Sequence, residues 1–167
     1  MKVIYWDIDG TLLATAKAGL KAFQEATEQV FDRKPDLKGI TAAGMTDFYI
    51  ASEIIFKVLG TKPTDDQVIT LIKRYEELLP LHLATTKGYT IPYVREVLSY
   101  LHNHPEYISL LLTGNTAAGA KAKLAQFSLD GFFDFSLSAF GDLCQDRLGV
   151  ASQALAHIQE RFPEIRQ

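Results

Sequence analysis

The spacing of hydrophobic residues changes twice along the chain and divides it into three stretches. Residues 2–6 form an apolar run rich in β-branched and aromatic side chains. A run without polar alternation predicts a strand buried on both faces. From about residue 15 to 86, apolar residues recur at helical spacing. After Gly88 and Pro92, apolar runs alternate with helical patterns, which is typical of βαβ units and a parallel sheet.

The middle stretch is predicted to be entirely helical. Helical spacing predicts helices over residues 20–31, 47–59, 64–79 and 81–85. Thr46 is predicted to be the N-cap of the second helix, and Gly60 its C-terminal stop. Thr64 and Gln67 have the spacing of a capping box at the start of the third helix. Pro80 is predicted to end that helix, because a proline lacks the amide hydrogen that a helix interior needs.

The last stretch completes the predicted architecture. Its pattern predicts helices over residues 93–102, 115–127 and 148–161 and strands over 107–112 and 132–137. The fold class is therefore α/β: a Rossmann-like parallel-sheet core, residues 1–14 and 87–167, interrupted by a helical insert, residues 15–86. The insert follows the first strand at its carboxyl end, which is where ligands bind in open α/β sheets.

Composition and charge narrow the class of protein. The chain has 167 residues, of which 47% are hydrophobic and 22% charged, and this balance indicates a globular protein. A net charge of -3 argues against general nucleic-acid binding. The single cysteine, Cys144, excludes an internal disulfide and a cysteine-based zinc cluster. No apolar run approaches the ~18 residues of a membrane span, and no signal-peptide pattern is present. We therefore expect a cytoplasmic protein with no membrane partner.

Two carboxylates directly follow the first apolar run. Asp7 and Asp9 stand at its carboxyl end, and Gly10 allows a sharp turn that can direct both side chains to one pocket. Carboxylates at the end of a buried strand cost stability unless a cation or hydrogen bonds compensate them. The alternative interpretation is an ordinary Asp-Gly turn with solvated carboxylates.

Residues 7–11, DIDGT, behind a hydrophobic strand resemble the first motif of the haloacid dehalogenase-like hydrolase superfamily. Four further stretches agree with that family in order, and together they cover nearly the whole chain. They are residues 44–47 (GMTD, similar to a cap signature of the phosphoglycolate-phosphatase-like branch), 110–115 (LLLTGN, similar to the second motif), Lys123, and 129–133 (LDGFF).

The resemblance implies a Mg²⁺-dependent phosphomonoesterase with a helical cap over residues 15–86. Asp7 would attack phosphorus and form an aspartyl-phosphate, and Asp9 would act as general acid and then base. Mg²⁺ would be held by Asp7, the Asp9 backbone carbonyl and a carboxylate from a fourth motif. The expected partner is a small phosphorylated metabolite: phosphoglycolate, a sugar phosphate or a nucleotide. A phosphomutase of the same branch is a further alternative.

Phosphate binding is predicted for residues 113–115 and for a lysine in the next helix. Thr113 offers a hydroxyl, and the Gly114 and Asn115 amides lie at a helix N-terminus, where phosphate binds well. Lys123 would add a positive charge, with Lys121 the second choice. The simpler interpretations are an N-capping threonine and a solvated lysine.

In the insert, Thr46 and Asp47 are candidates for the cap side of the substrate pocket, or for a plain interhelical turn. Lys17 and Lys21 near the entrance of the insert are predicted to be solvated rather than substrate-binding.

The sequence departs from the family at the fourth motif. Residues 141–146, GDLCQD, have its spelling but follow the third predicted strand, across the second strand from Asp7. Asp142 and Asp146 are therefore predicted to be loop and helix-capping residues. The fourth motif is expected after residues 162–165, so we expect a truncated chain or a fragment. A catalytically crippled protein that retains phosphate binding is the alternative. The first strand would then be an exposed edge available for self-association, and the last helix would keep Val150, Leu155 and Ile158 partly bare.

Overall fold

A computed structural model describes residues 1–163 of the chain, and the last four residues of the predicted core segment 87–167 lie outside the described residues. The chain forms four strands and six helices in this part. In order they are β1 (Lys2–Trp6), β2 (Leu13–Ala14), α1 (Ala18–Phe31), α2 (Asp47–Leu59), α3 (Asp65–Thr85), β3 (Tyr89–Thr90), α4 (Val94–His102), β4 (Tyr107–Leu111), α5 (Ala117–Gln126) and α6 (Arg147–Arg161). The α/β class predicted from the sequence is confirmed.

The central pairing joins the two longest strands. β1 lies parallel to β4 in a register that runs from Lys2 opposite Tyr107 to Trp6 opposite Leu111. Beyond β4, Leu112 forms a parallel bridge to Ala139. β4 therefore lies between β1 and the third backbone segment, as the sequence predicted. Within residues 1–163, no strand pairs with the other edge of β1.

The strand predicted over residues 132–137 is wrong. Residues Asp130–Phe132 form a 3₁₀ turn, and the Asp134 carboxylate accepts hydrogen bonds from the amide and hydroxyl of Ser136. Such a local side-chain turn competes with strand pairing. The ladder resumes only at Ala139, whose amide donates to the Leu111 carbonyl at 2.9 Å. The third segment therefore reaches the sheet later than its apolar pattern suggests.

Helices α1, α2 and α3 form a helical block with an apolar core of its own. Its fully buried side chains include Phe23, Ile54 and Leu79, and Phe23 stacks on Tyr75 with ring centroids 3.9 Å apart. The predicted caps are confirmed: Thr46 accepts from the Tyr49 amide, and Thr64 forms a capping box with Gln67. The predicted absence of strands from residues 15–86 is also confirmed in the described structure. The division into two domains stays a prediction.

The predicted break at Pro80 is wrong, because α3 continues through it to Thr85. A proline inside a helix removes one hydrogen bond and crowds the carbonyl four residues earlier, at a cost of ~3 kcal/mol. Leu78, Leu79 and Leu83 on both sides of Pro80 are buried in the helical block. Burial of each such side chain contributes about 1.5–3 kcal/mol. Tertiary packing therefore outweighs the local preference.

A short ribbon connects the helical block to the rest of the chain. β2 and β3 pair antiparallel just before and just after the block. A side chain at Gly88 would place its Cβ 2.7 Å from the Ala14 carbonyl oxygen, so the close approach requires glycine. Two-residue strands have too little pattern to be found from sequence.

Helix α6 is better covered than the sequence suggested. Val150 is fully buried and Ile158 nearly so, whereas Leu155 is 46% exposed. The prediction that all three stay partly bare is wrong for the first two, because Val150 packs with Ala139 beside Tyr5. No helix within residues 1–163 is both long enough and apolar enough to cross a membrane.

Candidate active site

The carboxyl ends of β1 and β4 face the helical block across a cavity of about 280 Å³. One wall comes from the α/β layer and contains Asp7, Asp9, Asn115, Lys123 and Arg147. The opposite wall comes from α1, α2, α3 and the loop before α2. The structure thus brings together, in one cavity, residues that are up to 140 positions apart in the sequence.

Asp7 is held by a backbone amide and by an arginine. Its Oδ1 accepts from the Ile8 amide at 2.8 Å, and its Oδ2 accepts from Arg147 at 3.0 Å. Arg147 also donates to the Leu112 carbonyl, which links the start of α6 to the end of β4. Both side chains are about one third exposed, so the pair lies at the cavity surface.

Asp9 belongs to a second charge network, in which its own side chain is 46% exposed and its partners are buried. Its Oδ2 accepts from the Lys123 ammonium at 2.7 Å and from the Asn115 side-chain amide at 3.0 Å. Lys123 is 5% exposed and also donates to the Asn115 side-chain oxygen. The Asn115 side chain therefore links Asp9 to Lys123: its amide group donates to the Asp9 carboxylate, and its oxygen accepts from the Lys123 ammonium. Lys123, rather than the exposed Lys121, is the lysine that reaches the cavity.

Thr113 lies behind this network rather than on the cavity wall. It is fully buried, and its hydroxyl oxygen accepts from the backbone and side-chain amides of Asn115. Gly114 and Asn115 do line the cavity. In this arrangement Thr113 positions Asn115, so the direct contact with phosphate expected from the sequence is not prepared here.

Asp47 lies on the opposite wall and connects the helical block to the α/β layer. Its backbone amide donates to the Gly114 carbonyl at 2.7 Å, and its Oδ2 accepts from the Thr116 amide at 3.0 Å. Burial raises the pKa of Asp47 to about 6, while Lys123 and the Thr116 amide partly offset that rise. Thr46 caps α2, and only Asp47 of the two predicted residues lines the cavity.

The contact between block and layer depends on two glycines. A Cβ at Gly114 would lie 2.3 Å from the Met45 carbonyl oxygen. A Cβ at Gly141 would lie 2.3 Å from the Gly114 carbonyl oxygen and 3.1 Å from Thr46 Cβ. Any larger residue would push the loop before α2 away from the cavity. This close approach was not visible in the sequence.

Carboxylates already occupy part of the α5 N-terminus. The Thr116 amide donates to Asp47, and the Ala117 amide donates to both oxygens of Asp142 at 3.2 Å. Asp146 accepts from the Gly149 amide as the N-cap of α6. Both acidic residues of the GDLCQD stretch are thus committed to helix termini. The structure supports the capping interpretation of Asp142 and Asp146.

The residues available as metal ligands are of the right chemical type for Mg²⁺, but there are too few of them among residues 1–163. Asp7 and Asp9 provide the oxygen ligands that Mg²⁺ prefers, and Mg²⁺ usually keeps several waters. Arg147, however, engages one Asp7 oxygen, and Lys123 engages one Asp9 oxygen. Across residues 1–163, no three His, Cys, Asp or Glu side chains cluster closely enough to hold a metal ion.

Two residues of the cavity were not predicted from the sequence to belong to the site. Arg147, the first residue of α6, was assigned only to a loop and helix start over residues 140–147. Tyr75 looks like an ordinary core residue of α3, yet it lines the cavity beside Asp47. Burial and the neighbouring carboxylates raise the pKa of Tyr75 well above its usual value. Lys17 lines the cavity, whereas Lys21 lies outside it.

Comparison with known families identifies the family of the chain. The family described as haloacid dehalogenase-like hydrolase matches residues 4–140. The chain therefore belongs to the haloacid dehalogenase-like hydrolases, a family whose members include phosphatases and which is built on this α/β fold. No curated protein matches the chain.

Solved structures share the fold at low sequence identity. A predicted phosphoglycolate phosphatase from Haemophilus somnus 129pt is 18% identical with a TM-score of 0.63; the alignment covers 98% of this chain and 72% of that one. A haloacid dehalogenase hydrolase of family IA, variant 3, from Entamoeba histolytica is 14% identical with a TM-score of 0.67, covering 95% and 70%. A predicted phosphatase from Clostridium acetobutylicum is 16% identical with a TM-score of 0.60, covering 93% and 70%. These likenesses concern the fold alone.

Proposed function

We propose that the chain carries the nucleophile and the acid–base group of a phosphomonoesterase, and that Asp7 forms an aspartyl-phosphate. The observation that supports this most is the pairing of each carboxylate with its own cation in one cavity. Asp7 pairs with Arg147, and Asp9 pairs with Lys123. Two cations close to two carboxylates provide electrostatic stabilisation for a transferring phosphoryl group.

In the first step, an Asp7 carboxylate oxygen forms a bond to phosphorus while the bond from phosphorus to the alcohol oxygen breaks. The leaving oxygen takes the electron pair and receives a proton from Asp9. Arg147 holds Asp7 in place, and Arg147 and Lys123 offset the charge of the phosphoryl oxygens. Asn115 fixes Asp9 through Oδ2, which leaves Oδ1 for the proton transfer.

In the second step, a water oxygen attacks phosphorus and the bond from Asp7 to phosphorus breaks. Asp9, now deprotonated, accepts the proton of that water. The products are the alcohol and inorganic phosphate; Asp7 is again a free carboxylate, and Asp9 again carries a proton, as it did before the first step. The helical block faces the alcohol across the cavity.

Phosphatases of this superfamily generally use a divalent metal. In this chain Asp7 and the Asp9 backbone would hold Mg²⁺, which supplies further positive charge to the phosphoryl group when bound. With Asp7 and Asp9 as the protein ligands available, we propose that Mg²⁺ binds weakly to residues 1–163.

The test is hydrolysis of p-nitrophenyl phosphate with Mg²⁺ present. Asp7→Asn is expected to abolish turnover, and Asp9→Asn to lower it by roughly 10²–10⁴-fold. Asp32→Asn is the matched control, because Asp32 is exposed and asparagine tolerates its left-handed backbone. Acid-quenched mass spectrometry should find phosphate on Asp7 in Asp9→Asn.

Three results would contradict the assignment. Turnover near the wild-type rate in either site variant would show that another group does the chemistry. Binding of inorganic phosphate by calorimetry, with no turnover in the wild-type chain, would instead favour the crippled protein. With a sugar phosphate as the substrate, transfer of the phosphoryl group to a second hydroxyl of that sugar would favour the phosphomutase.

A further inference from the structure

The two walls of the cavity differ in chemistry. The wall from the α/β layer consists of the charged groups already described. The wall from the helical block is mainly apolar, with Leu20, Phe23, Ala42, Met45 and Ile50 facing the cavity. A phosphate monoester held with its phosphoryl group on the charged wall would therefore place its alcohol against hydrocarbon.

The polar groups on the apolar wall are unsuited to a second anion. Asp47 is buried and committed to the Thr116 amide, and the Tyr75 phenol lies beside it. A carboxylate at that point would repel a second phosphate or a substrate carboxylate. Among the described residues of this wall, Lys17 is the one cation, and its side chain is exposed. Arg147 and Lys123 are already paired with Asp7 and Asp9.

The volume sets a further limit on the substrate. A cavity of about 280 Å³ is slightly smaller than the roughly 300–1,000 Å³ of ordinary small-molecule pockets. The volume therefore favours a phosphoryl group with a short carbon chain over a bulkier alcohol such as a nucleoside.

Resting on the proposed phosphomonoesterase function, we infer that the substrate is the phosphate ester of a compact alcohol with a hydrocarbon face and no second anionic group. The apolar wall provides few hydrogen bonds for the hydroxyls of a sugar, and Asp47 opposes a second phosphate. This substrate class excludes the bisphosphates of a phosphomutase and disfavours nucleotides. It also disfavours a carboxylated ester of the phosphoglycolate type.

The test uses phosphonates, which bind without being hydrolysed, so that it does not depend on turnover. Calorimetry with Mg²⁺ would compare methyl-, ethyl-, propyl- and butylphosphonate with phosphonoacetate and with the phosphonate analogues of glucose 6-phosphate and AMP. Affinity should rise about fourfold for each added methylene until the cavity is full. Phosphonoacetate and the two analogues should all bind more weakly than propylphosphonate.

Variants distinguish contact with the apolar wall from non-specific hydrophobic binding elsewhere on the protein. Leu20→Ser should flatten the gain per methylene, and Met45→Ser provides a second, more exposed substitution should Leu20→Ser fail to fold. Leu81→Ser is the matched control, because Leu81 is a 64% exposed residue of α3 outside the cavity. It should leave the series unchanged.

The outcomes separate this inference from the proposed function. A flat alkyl series with intact phosphate binding overturns the substrate class and leaves the phosphomonoesterase standing. Tighter binding of phosphonoacetate, lost in Lys17→Ala, overturns it in favour of a carboxylated substrate. Failure of every phosphonate and of inorganic phosphate to bind overturns the proposed function and the inference with it.

Discussion

The helical block and the α/β layer are built in opposite ways. The block surrounds a continuous apolar core, with most large hydrophobic residues of α1, α2 and α3 packed inward. The layer contains a short two-stranded parallel pairing and smaller clusters, and its charged groups gather at the strand ends. The block thus contributes stability and a wall, whereas the layer contributes the chemistry.

This difference indicates that the connection between the two parts decides whether the site forms. The connection consists of the β2–β3 ribbon and the approach of residues 45–47 to Gly114. Asp47 joins both walls because its backbone and its side chain bond to different residues of the layer. This connection requires a buried carboxylate at Asp47, and burial makes the ionised form of that carboxylate less favourable.

The largest effects are expected from cavity-forming substitutions in the two cores. Leu79→Ala in the helical block and Leu98→Ala in the layer each remove a fully buried leucine, and each should cost about 2–5 kcal/mol of unfolding free energy. Because their apolar clusters are separate, each substitution should first loosen its own part. Hydrogen exchange of α1–α3 amides against α4 and β4 amides would measure this.

The single tryptophan offers an independent probe of the comparison. Trp6 lies in β1, so its fluorescence follows the layer, while far-UV circular dichroism is dominated by the helices. Leu81→Ala, at an exposed position of α3, is the control. Identical shifts of both signals in Leu79→Ala and Leu98→Ala would show that the helical block and the α/β layer unfold as one cooperative unit and do not loosen separately.

The next effect concerns the pH dependence contributed by Asp47. Its pKa is about 6 in the folded chain and near 3.8 when exposed. Between these values the folded chain holds the extra proton, so its contribution to stability falls as pH rises from about 4 to about 6. The total is on the order of 3 kcal/mol at most. Asp47→Asn should remove this slope.

Urea unfolding of wild type and Asp47→Asn at pH 4, 5, 6 and 7 measures the difference directly. The variant should gain stability relative to wild type across that window. Asp32→Asn, at an exposed site, should show no such trend. A difference that stays constant with pH would mean that Asp47 does not carry the buried charge that joins the two walls.

A smaller effect distinguishes Asp7, in the charged site, from Asp142, in the GDLCQD loop, as the ligand of Mg²⁺. Mg²⁺ should bind weakly, should be lost in Asp7→Asn, and should be unaffected in Asp142→Asn. The latter should cost less than about 1 kcal/mol of stability, because asparagine can still accept from the Ala117 amide. Calorimetric titration provides the readout. Tight Mg²⁺ binding lost in Asp142→Asn would move the metal site to that loop.

The smallest effect is expected at the outer edge of β1. The ladder alternates, and Lys2 and Trp6 bond toward β4, so the backbone groups of Val3 and Tyr5 point away from it. We propose that two chains associate weakly through this edge. Light scattering after size exclusion should show a concentration-dependent mass. Val3→Pro should suppress it and Val3→Ala should not; a constant monomer mass would dismiss the contact.

Local sequence patterns predicted the elements whose signals are complete within a few residues. β1 and α2 have the bounds that were predicted, and the caps at Thr46 and Thr64 form as expected. The capping roles of Asp142 and Asp146 also followed from sequence. In most of these cases the donor and the acceptor lie within a few residues of each other. For Asp142, the residue type by itself indicated a helix cap.

The two failures have different physical causes, one of them distant in the chain and the other local. Pro80 stays helical because buried leucines on both sides of it are packed in the helical block. Residues 132–137 fail to pair because Asp134 forms a local turn, and the ladder is continued by Ala139. Neither competition can be weighed without knowing the packed neighbours.

The same division holds for the site. The sequence by itself determined that Asp7 and Asp9 directly follow the first strand, that Lys123 follows on a helix, and that the fold is α/β. Only the tertiary structure decided that Arg147 reaches Asp7, that Thr113 stands behind Asn115, and that Asp47 connects the two walls. Local spacing sets which way a side chain leaves its own helix or strand, but which groups meet across a cavity depends on how those elements pack.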